Sequence, residues 1–285
     1  MKQIAFVSGK GGTGKSTLVS SLCQLVADKM VADCDVEAPN LHLLITGEEL
    51  NKADYYGAKE AVKDAAKCRK CGLCYDACRF AAISDEYEII SLNCEGCGAC
   101  ALVCPAEAIS LEEVKTGQTY LTKTLQGTFS HALLDIGAEG SGKLVTEVRR
   151  KIFTSHEQEK WLLIDGSPGI GCVVIASITG TDAVVIVTEP TKSGVSDLER
   201  VLAAARHFQI PSFVCINKYD LNPEMAAQIE EYCRQHDCPV IGRIPFDQKV
   251  VKALQAGKTP VEAGNIQVTR EIEKLWQRLT AALGA

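Results

Sequence analysis

The apolar residues of this chain fall into short runs that alternate with stretches of helical periodicity. The first run, Gln3 to Val7, ends at Ser8-Gly9, and beyond a glycine-rich loop Leu18, Leu22, Leu25 and Val26 recur at helical spacing. Further runs at Trp161 to Ile164, Ala183 to Val187 and Phe213 to Ile216 are separated by helical stretches such as Ser196 to His207 and Pro223 to Arg234. Strands buried on both faces read as continuous apolar runs, so this alternation predicts an α/β fold with a mostly parallel sheet and helices on both faces. Near the end, Ile272, Leu275, Trp276 and Leu279 mark one face of a closing helix expected to pack on the sheet.

Between about Gly57 and Gly117 the alternation stops, and a repeat with a period of 26 residues, from Cys68 to Cys94, takes its place. Cys71, Cys74 and Cys78 map onto Cys97, Cys100 and Cys104, and Ala82-Ile83-Ser84 maps onto Ala108-Ile109-Ser110. The expectation is a duplicated small α+β module at 57–117 inserted in a host domain made of 1–56 and 118–285.

Composition narrows the setting. A chain of 285 residues, 46% hydrophobic, suffices for one large domain and a small module. No stretch approaches the roughly 18 uninterrupted apolar residues of a bilayer span, so no stable membrane insertion is expected. The start runs straight into a strand and a glycine loop, which predicts no targeting segment and a cytoplasmic location. A formal charge of -6 gives no whole-molecule attraction to nucleic acid or anionic lipid. Fourteen cysteines are too many for core filler. Eight form the repeat; Cys23, Cys34, Cys172, Cys215, Cys233 and Cys238 are scattered and read as reduced thiols. Cys34 and Cys172 lie beside acidic and glycine-rich strand ends and read as small buried hydrophobes.

Gly9-Lys10-Gly11-Gly12-Thr13-Gly14-Lys15-Ser16 satisfies GxxxxGK[ST] where that motif must sit, after a strand and opening a helix. The backbone N–H groups of Gly11, Gly12, Thr13 and Gly14 converge on phosphate oxygens, with Thr17 at the base of the loop. Lys15 neutralises the β and γ charges, and the Ser16 hydroxyl ligates Mg²⁺. Lys10 is a second cation in the loop, and it repels Lys15 unless phosphate oxygens compensate both.

With that second lysine, Lys10 to Ser16 resembles the KGGxGK[ST] loop of the MinD/ParA/Mrp family of deviant Walker P-loop ATPases. The resemblance implies Mg-ATP binding and hydrolysis and an ATP-dependent homodimer in which Lys10 reaches the partner's phosphates. In Asp33-Cys34-Asp35 it implies a switch whose Asp35 orients or activates the attacking water. At the end of Leu162-Leu163-Ile164 it implies that Asp165 holds the Mg²⁺ shell and Gly166 senses the γ-phosphate. It also gives Asn217 to the adenine edge, with Gly242 to Asp247 as a further base-side loop. Ser141-Gly142-Lys143 lacks the glycine-rich run and is expected only to open a helix.

Cys68-x2-Cys71-x2-Cys74-x3-Cys78 and Cys94-x2-Cys97-x2-Cys100-x3-Cys104-Pro105 form the run associated with bacterial two-cluster ferredoxins. Zinc sites also use Cys-x2-Cys pairs, and a disulfide framework is the other competitor, disfavoured in a cytoplasmic setting. Resemblance to those ferredoxins implies two [4Fe-4S] clusters, one held by Cys68, Cys71, Cys74 and Cys104, the other by Cys94, Cys97, Cys100 and Cys78. One departure is Arg79 after Cys78, where ferredoxins usually have proline; its charge is expected to raise the potential of the nearer cluster.

Three functions fit these parts: ATP-gated electron transfer to an unidentified redox partner, assembly or carriage of an iron-sulfur or other metallocofactor for an apo metalloprotein, and MinD/ParA-like spatial organisation. Four-cysteine ligation of both clusters favours retention over delivery, and no basic tail supports the organiser, so electron transfer leads. The insert leaves the host soon after Asp35, which suggests coupling between nucleotide state and the clusters.

Overall fold

Among the described residues, 1–125, 127–155 and 158–284, the computed structural model has nine strands. These are β1 (Lys2–Ser8), β2 (Lys29–Cys34), β3 (Gly47–Lys63), β4 (Ile109–Thr124), β5 (Gly127–Leu134), β6 (Trp161–Pro168), β7 (Ala183–Thr188), β8 (Ser212–Asn217) and β9 (Val240–Ile244). Their order in the sheet is β3-β4-β5-β2-β6-β1-β7-β8-β9. β1 pairs in parallel with β6 and β7, β2 with β5 and β6, and β8 with β7 and β9. β2 and β7 are buried at every position; β7 accordingly reads as an apolar run, whereas β2 carries Lys29 and Asp33 into the interior.

The helices are α1 (Lys15–Leu25), α2 (Leu73–Ala77), α3 (Ala99–Leu102), α4 (Gly142–Ile152), α5 (Cys172–Ile178), α6 (Lys192–His207), α7 (Pro223–Gln235), α8 (Gln248–Gln255) and α9 (Ile266–Ala282). Successive strand residues point to opposite faces, so Ile4 and Phe6 of β1, with Leu163 and Val185, share one face with Leu18 and Leu22 of α1 and Val268, Ile272, Leu275 and Leu279 of α9. Trp276 closes that face edge-on against Trp161, ring centroids 4.9 Å apart. Helices α4, α5 and α6 pack on β2, β5, β6, β1 and β7. Ser141 caps α4, its hydroxyl accepting from the Leu144 amide, and gives that serine the local role expected of it.

The chain divides into two units: 1–53, 119–134 and 139–285, and 54–118 with 135–138. β3 and β4 each contribute residues to both. In the smaller unit the 26-residue repeat extends to backbone conformation. Lys70 and Gly96 (φ 52° and 59°), Gly72 and Gly98 (83° and 79°), and Ala81 and Glu107 (51° and 48°) are three repeat-related pairs, all left-handed. Gly72 and Gly98 precede α2 and α3, the short helices that carry Cys74 and Cys100. A side chain at Gly96 would meet the Lys59 carbonyl oxygen at 2.2 Å, so glycine is required there on two counts.

Candidate functional site: a phosphate cleft and two cysteine-lined cavities

In the larger unit the chemistry-bearing residues collect at the carboxyl ends of the parallel strands, where open α/β sheets bind ligands. β1 leads into the glycine loop, whose Gly12 and Gly14 take φ of 80° and 89° before α1 begins at Lys15. Register sets Asp33 of β2 directly beside Asp165 of β6. One cleft is lined by Ser8, Gly11 to Thr17, Asp35, Asn40 and Pro168.

Lys15 is the electrostatic centre of that cleft. It is 5% exposed, with its ammonium 2.6 Å from Asp165 Oδ1 and 3.6 Å from Asp35 Oδ2. Burial pushes the ammonium pKa down, but the charges of Asp165 and Asp35 outweigh it and hold Lys15 above its ordinary value. Burial also raises Asp35, against the opposing charge of Lys15. Three buried oxygens here, Thr13 Oγ1, Asp35 Oδ1 and Asp165 Oδ2, have no partner among the described residues. Buried acceptors left open are rare and costly. Two carboxylate oxygens with the Ser16 hydroxyl beside Lys15 form the hard-oxygen donor set that suits Mg²⁺.

Asp33 belongs to the acidic switch motif read from the sequence, which gave a role to Asp35 and none to Asp33. It is wholly buried; its two oxygens accept from the backbone amides of Asp35 (3.1 Å) and Leu41 (3.2 Å) and so shape the loop that carries Asp35. Burial and the neighbouring Asp165 push its carboxyl well above the usual range. Glu189, just after β7, was also missed. Its carboxylate lies 3.7 Å from Lys10 Nζ and pairs with Lys218, which donates to the Gly12 carbonyl at 3.1 Å. Lys10 also donates to Ser193 (3.1 Å) and Thr191 (3.4 Å), so in this chain it lies along the start of α6. The available signal for both residues was position, an acid one or two residues beyond or within a buried strand end.

Asn217 ends β8. Its Nδ2 donates to the Thr13 carbonyl at 2.7 Å and its Oδ1 accepts from the Lys218 amide, so the side chain braces the phosphate loop. It also borders an apolar slot with Leu18, Val187, Pro245, Phe246 and Val250, on the wall shared with Gly12, Gly14 and Thr17. Gly166 is not among the residues lining the phosphate cleft; a side chain there would sit 2.9 Å from Val7 Cγ1 and 3.1 Å from the Phe6 carbonyl, so its surroundings are crowded. Cys34 is buried, as expected. Cys172 is not: it is exposed at the first residue of α5, because that helix begins in a glycine loop rather than under the sheet.

The smaller unit brings the eight repeat cysteines into two groups of four. Cys68, Cys71, Cys74 and Cys104 line one cavity, and Cys94, Cys97, Cys100 and Cys78 line the other, so each half lends its last cysteine to its neighbour. Backbone amides point at the sulfurs, Ala82 to Cys78 (3.4 Å), Ala108 to Cys104 (3.3 Å) and Ala61 to Cys94 (3.4 Å); the first two are repeat-related. Burial raises the Cys74 and Cys100 thiols, again repeat-related positions. Among the described residues no three Cys, His, Asp or Glu side chains form a group able to hold a single metal ion; the thiols ring their cavities instead. No helix among the described residues is long and apolar enough to cross a membrane.

The sequence profile of the CobQ/CobB/MinD/ParA nucleotide binding domain matches residues 4–261. An uncharacterized protein of Methanocaldococcus jannaschii is 32% identical over 283 residues, 97% of this chain and 96% of its own. The carbon monoxide dehydrogenase accessory protein CooC of Rhodospirillum rubrum is 26% identical over 267 residues, 88% of this chain and 86% of its own. The septum site-determining protein MinD of Pyrococcus horikoshii, solved with Mg-ADP, superposes with a TM-score of 0.61 over 99% of this chain and 97% of its own, at 18% identity, a likeness of fold.

Proposed function

This chain belongs to the CobQ/CobB/MinD/ParA nucleotide-binding family and is a P-loop ATPase, and from that premise we propose that it couples a nucleotide-dependent dimer switch to two [4Fe-4S] clusters in electron transfer. The observation that carries the proposal is the crossed grouping of eight thiols around two cavities, three from one repeat and one from the other in each case. Cys68, Cys71, Cys74 and Cys104 would hold one cluster and Cys94, Cys97, Cys100 and Cys78 the other, supplying one-electron chemistry. The amides aimed at Cys78, Cys94 and Cys104 supply hydrogen bonds to those sulfurs of the kind that tune a bound cluster.

In the phosphate cleft, Ser16 and Asp165 would hold Mg²⁺, whose charge offsets that of the β- and γ-phosphates. The loop amides from Gly11 to Gly14 cradle phosphate, and Lys15 turns from its carboxylates to the triphosphate. Asp35, with one oxygen open, positions the attacking water. Lys10 leaves Glu189 and Ser193 to reach the phosphates of a second copy, which makes the ATP state a homodimer. Asn217 serves the base from the edge of the apolar slot.

A second reading, assembly or carriage of a metallocofactor, is favoured by the likeness to an accessory protein of carbon monoxide dehydrogenase. One experiment separates the two. Protein purified without oxygen is assayed for iron and sulfide, then examined by EPR after reduction, with and without Mg-ATP and with an apo metalloprotein acceptor. Electron transfer predicts retained iron, a spectrum that responds to Mg-ATP, and an Asp35→Ala variant locked in the ATP-responsive dimer with hydrolysis reduced at least 100-fold. Iron moving to the acceptor replaces this reading with assembly; a spectrum and dimerisation indifferent to nucleotide sinks the coupling.

A further inference from the structure

Duplication supplies an internal control on the surface of the smaller unit. In each cysteine group one thiol is exposed, Cys71 in the first and Cys97 in the second, and these are repeat-related. The loop residues at repeat-related positions just before the two exposed thiols differ in charge. Lys67, Arg69 and Lys70 in the first half correspond to Asn93, Glu95 and Gly96 in the second: three positive charges against one negative. Lys67, Arg69, Lys70 and Glu95 are all exposed. Among the described residues Arg69 and Lys70 have no ion-pair partner, and Lys67 has only Asp64 at 3.7 Å.

The cavity does not need these charges. The second half builds the same loop with a left-handed glycine and an acid, so cluster-loop geometry is indifferent to basic residues. Lys70 adopts φ 52°, a conformation cheap for glycine and unfavourable for lysine, with no sequence need for a cation inside the fold. An unfavourable backbone state retained at an exposed position beside an exposed thiol calls for a role at the surface.

We propose that the Cys68–Cys71 loop, with Lys67, Arg69 and Lys70, is the docking port for an acidic electron-carrier protein, and that the Cys97 edge is not. This rests on the two-cluster reading above. Exposed cations on a loop concentrate an anionic partner and speed encounter, and the negative charge of Glu95 at the other edge works against it. A protein partner fits better than nucleic acid, since three charges on one short loop of an acidic chain neutralise too few phosphates for stable binding.

The test uses the full-length protein with both clusters, reduced in a stopped-flow instrument by an acidic flavodoxin at several salt concentrations. The expected wild-type rate constant falls as salt rises. Arg69→Glu combined with Lys70→Glu lowers it about tenfold or more at low salt and reverses the salt dependence. Glu95→Lys leaves it unchanged or raises it. A small dye reductant that reduces every variant at the wild-type rate shows intact clusters. Intact clusters with a flavodoxin rate indifferent to the double reversal overturn the port alone, as does tight salt-sensitive binding to DNA that the reversal abolishes. Material lacking iron and sulfide overturns the two-cluster reading, and the port with it.

Discussion

The two units of this chain solve the same problem, holding charged chemistry in a fold, by opposite means. In the nucleotide unit the core is apolar and deep: Phe6, Phe129, Leu162, Leu163 and Ile164 are fully buried. The reactive groups hang from strand ends above it, with Lys15 paired to one oxygen of Asp165 and one of Asp35. The cysteine unit has a core of Ala61, Ile83, Cys100 and Ile109, joined by partly buried Cys74, Cys78 and Cys94. In the first unit a fold positions a site. In the second the site residues are themselves the core, and a module of this size ordinarily needs a metal or other staple to stand.

The sharpest way to break that contrast is to take away the iron of the two proposed clusters. In iron-stripped, reduced protein, residues 64–109 are expected to lose amide protection almost entirely, while β1, β6 and β7 keep theirs; hydrogen exchange read by mass spectrometry measures both in one sample. Protection of 64–109 in iron-free material would show that the small unit folds on apolar contacts alone and end the comparison.

A smaller effect is expected on the other side. Lys15→Ala removes the one cation between Asp165 and Asp35 in a site it fills at 5% exposure. Truncating one member of such a buried pair costs about 3–5 kcal/mol. Urea unfolding of the nucleotide unit at pH 7 is expected to show a loss of that order, shrinking at lower pH as Asp35, whose carboxyl is raised by burial, takes up its proton. ATP turnover should be lost at every pH. A variant as stable as the parent at pH 7 would mean that the carboxylates find other partners.

How far the sequence carried the reading follows the same division. β1, β6, β7 and β8 were legible because burial on both faces leaves continuous apolar runs, and the phosphate loop because glycine spacing and strand-loop-helix context coincide. Grouping of the cysteines was legible only through the resemblance of their spacing to two-cluster ferredoxins. β3 was not: nearly all of its 17 residues are exposed, so no hydrophobic alternation marks it. Asp33 was hidden because a buried acid and a solvated one look alike in sequence, and only the register of β2 against β6 reveals its neighbour. Glu189 was hidden because its partners, Lys10 and Lys218, are far from it along the chain. Cys172 is exposed although free cysteines are commonly buried, because it is the first residue of α5, directly after a glycine loop, while Val173 and Val174 turn inward.

The finest test of the preorganised unit is the pH dependence of Asp33. Its carboxyl is raised well above the usual range by burial and then by Asp165, so the folded protein holds this proton more tightly than the unfolded chain, where Asp titrates near about 3.9. For an acid raised on folding, the contribution to stability is greatest below the unfolded value. It declines as pH climbs through the interval up to the folded value and is constant beyond it. Asp33→Asn removes that titration and leaves one oxygen to accept from either the Asp35 or the Leu41 amide, so about 1 kcal/mol is lost with the other bond at any pH. The variant is therefore expected to start less stable and to gain on the parent with rising pH, by at most about 1.4 kcal/mol per pH unit within the window. Urea midpoints of the nucleotide unit from pH 5 to pH 8 measure the difference. A gap between variant and parent that stays constant across that range would mean that Asp33 ionises without penalty, and that the loop carrying Asp35 is held by its hydrogen bonds and not by a buried, proton-holding acid.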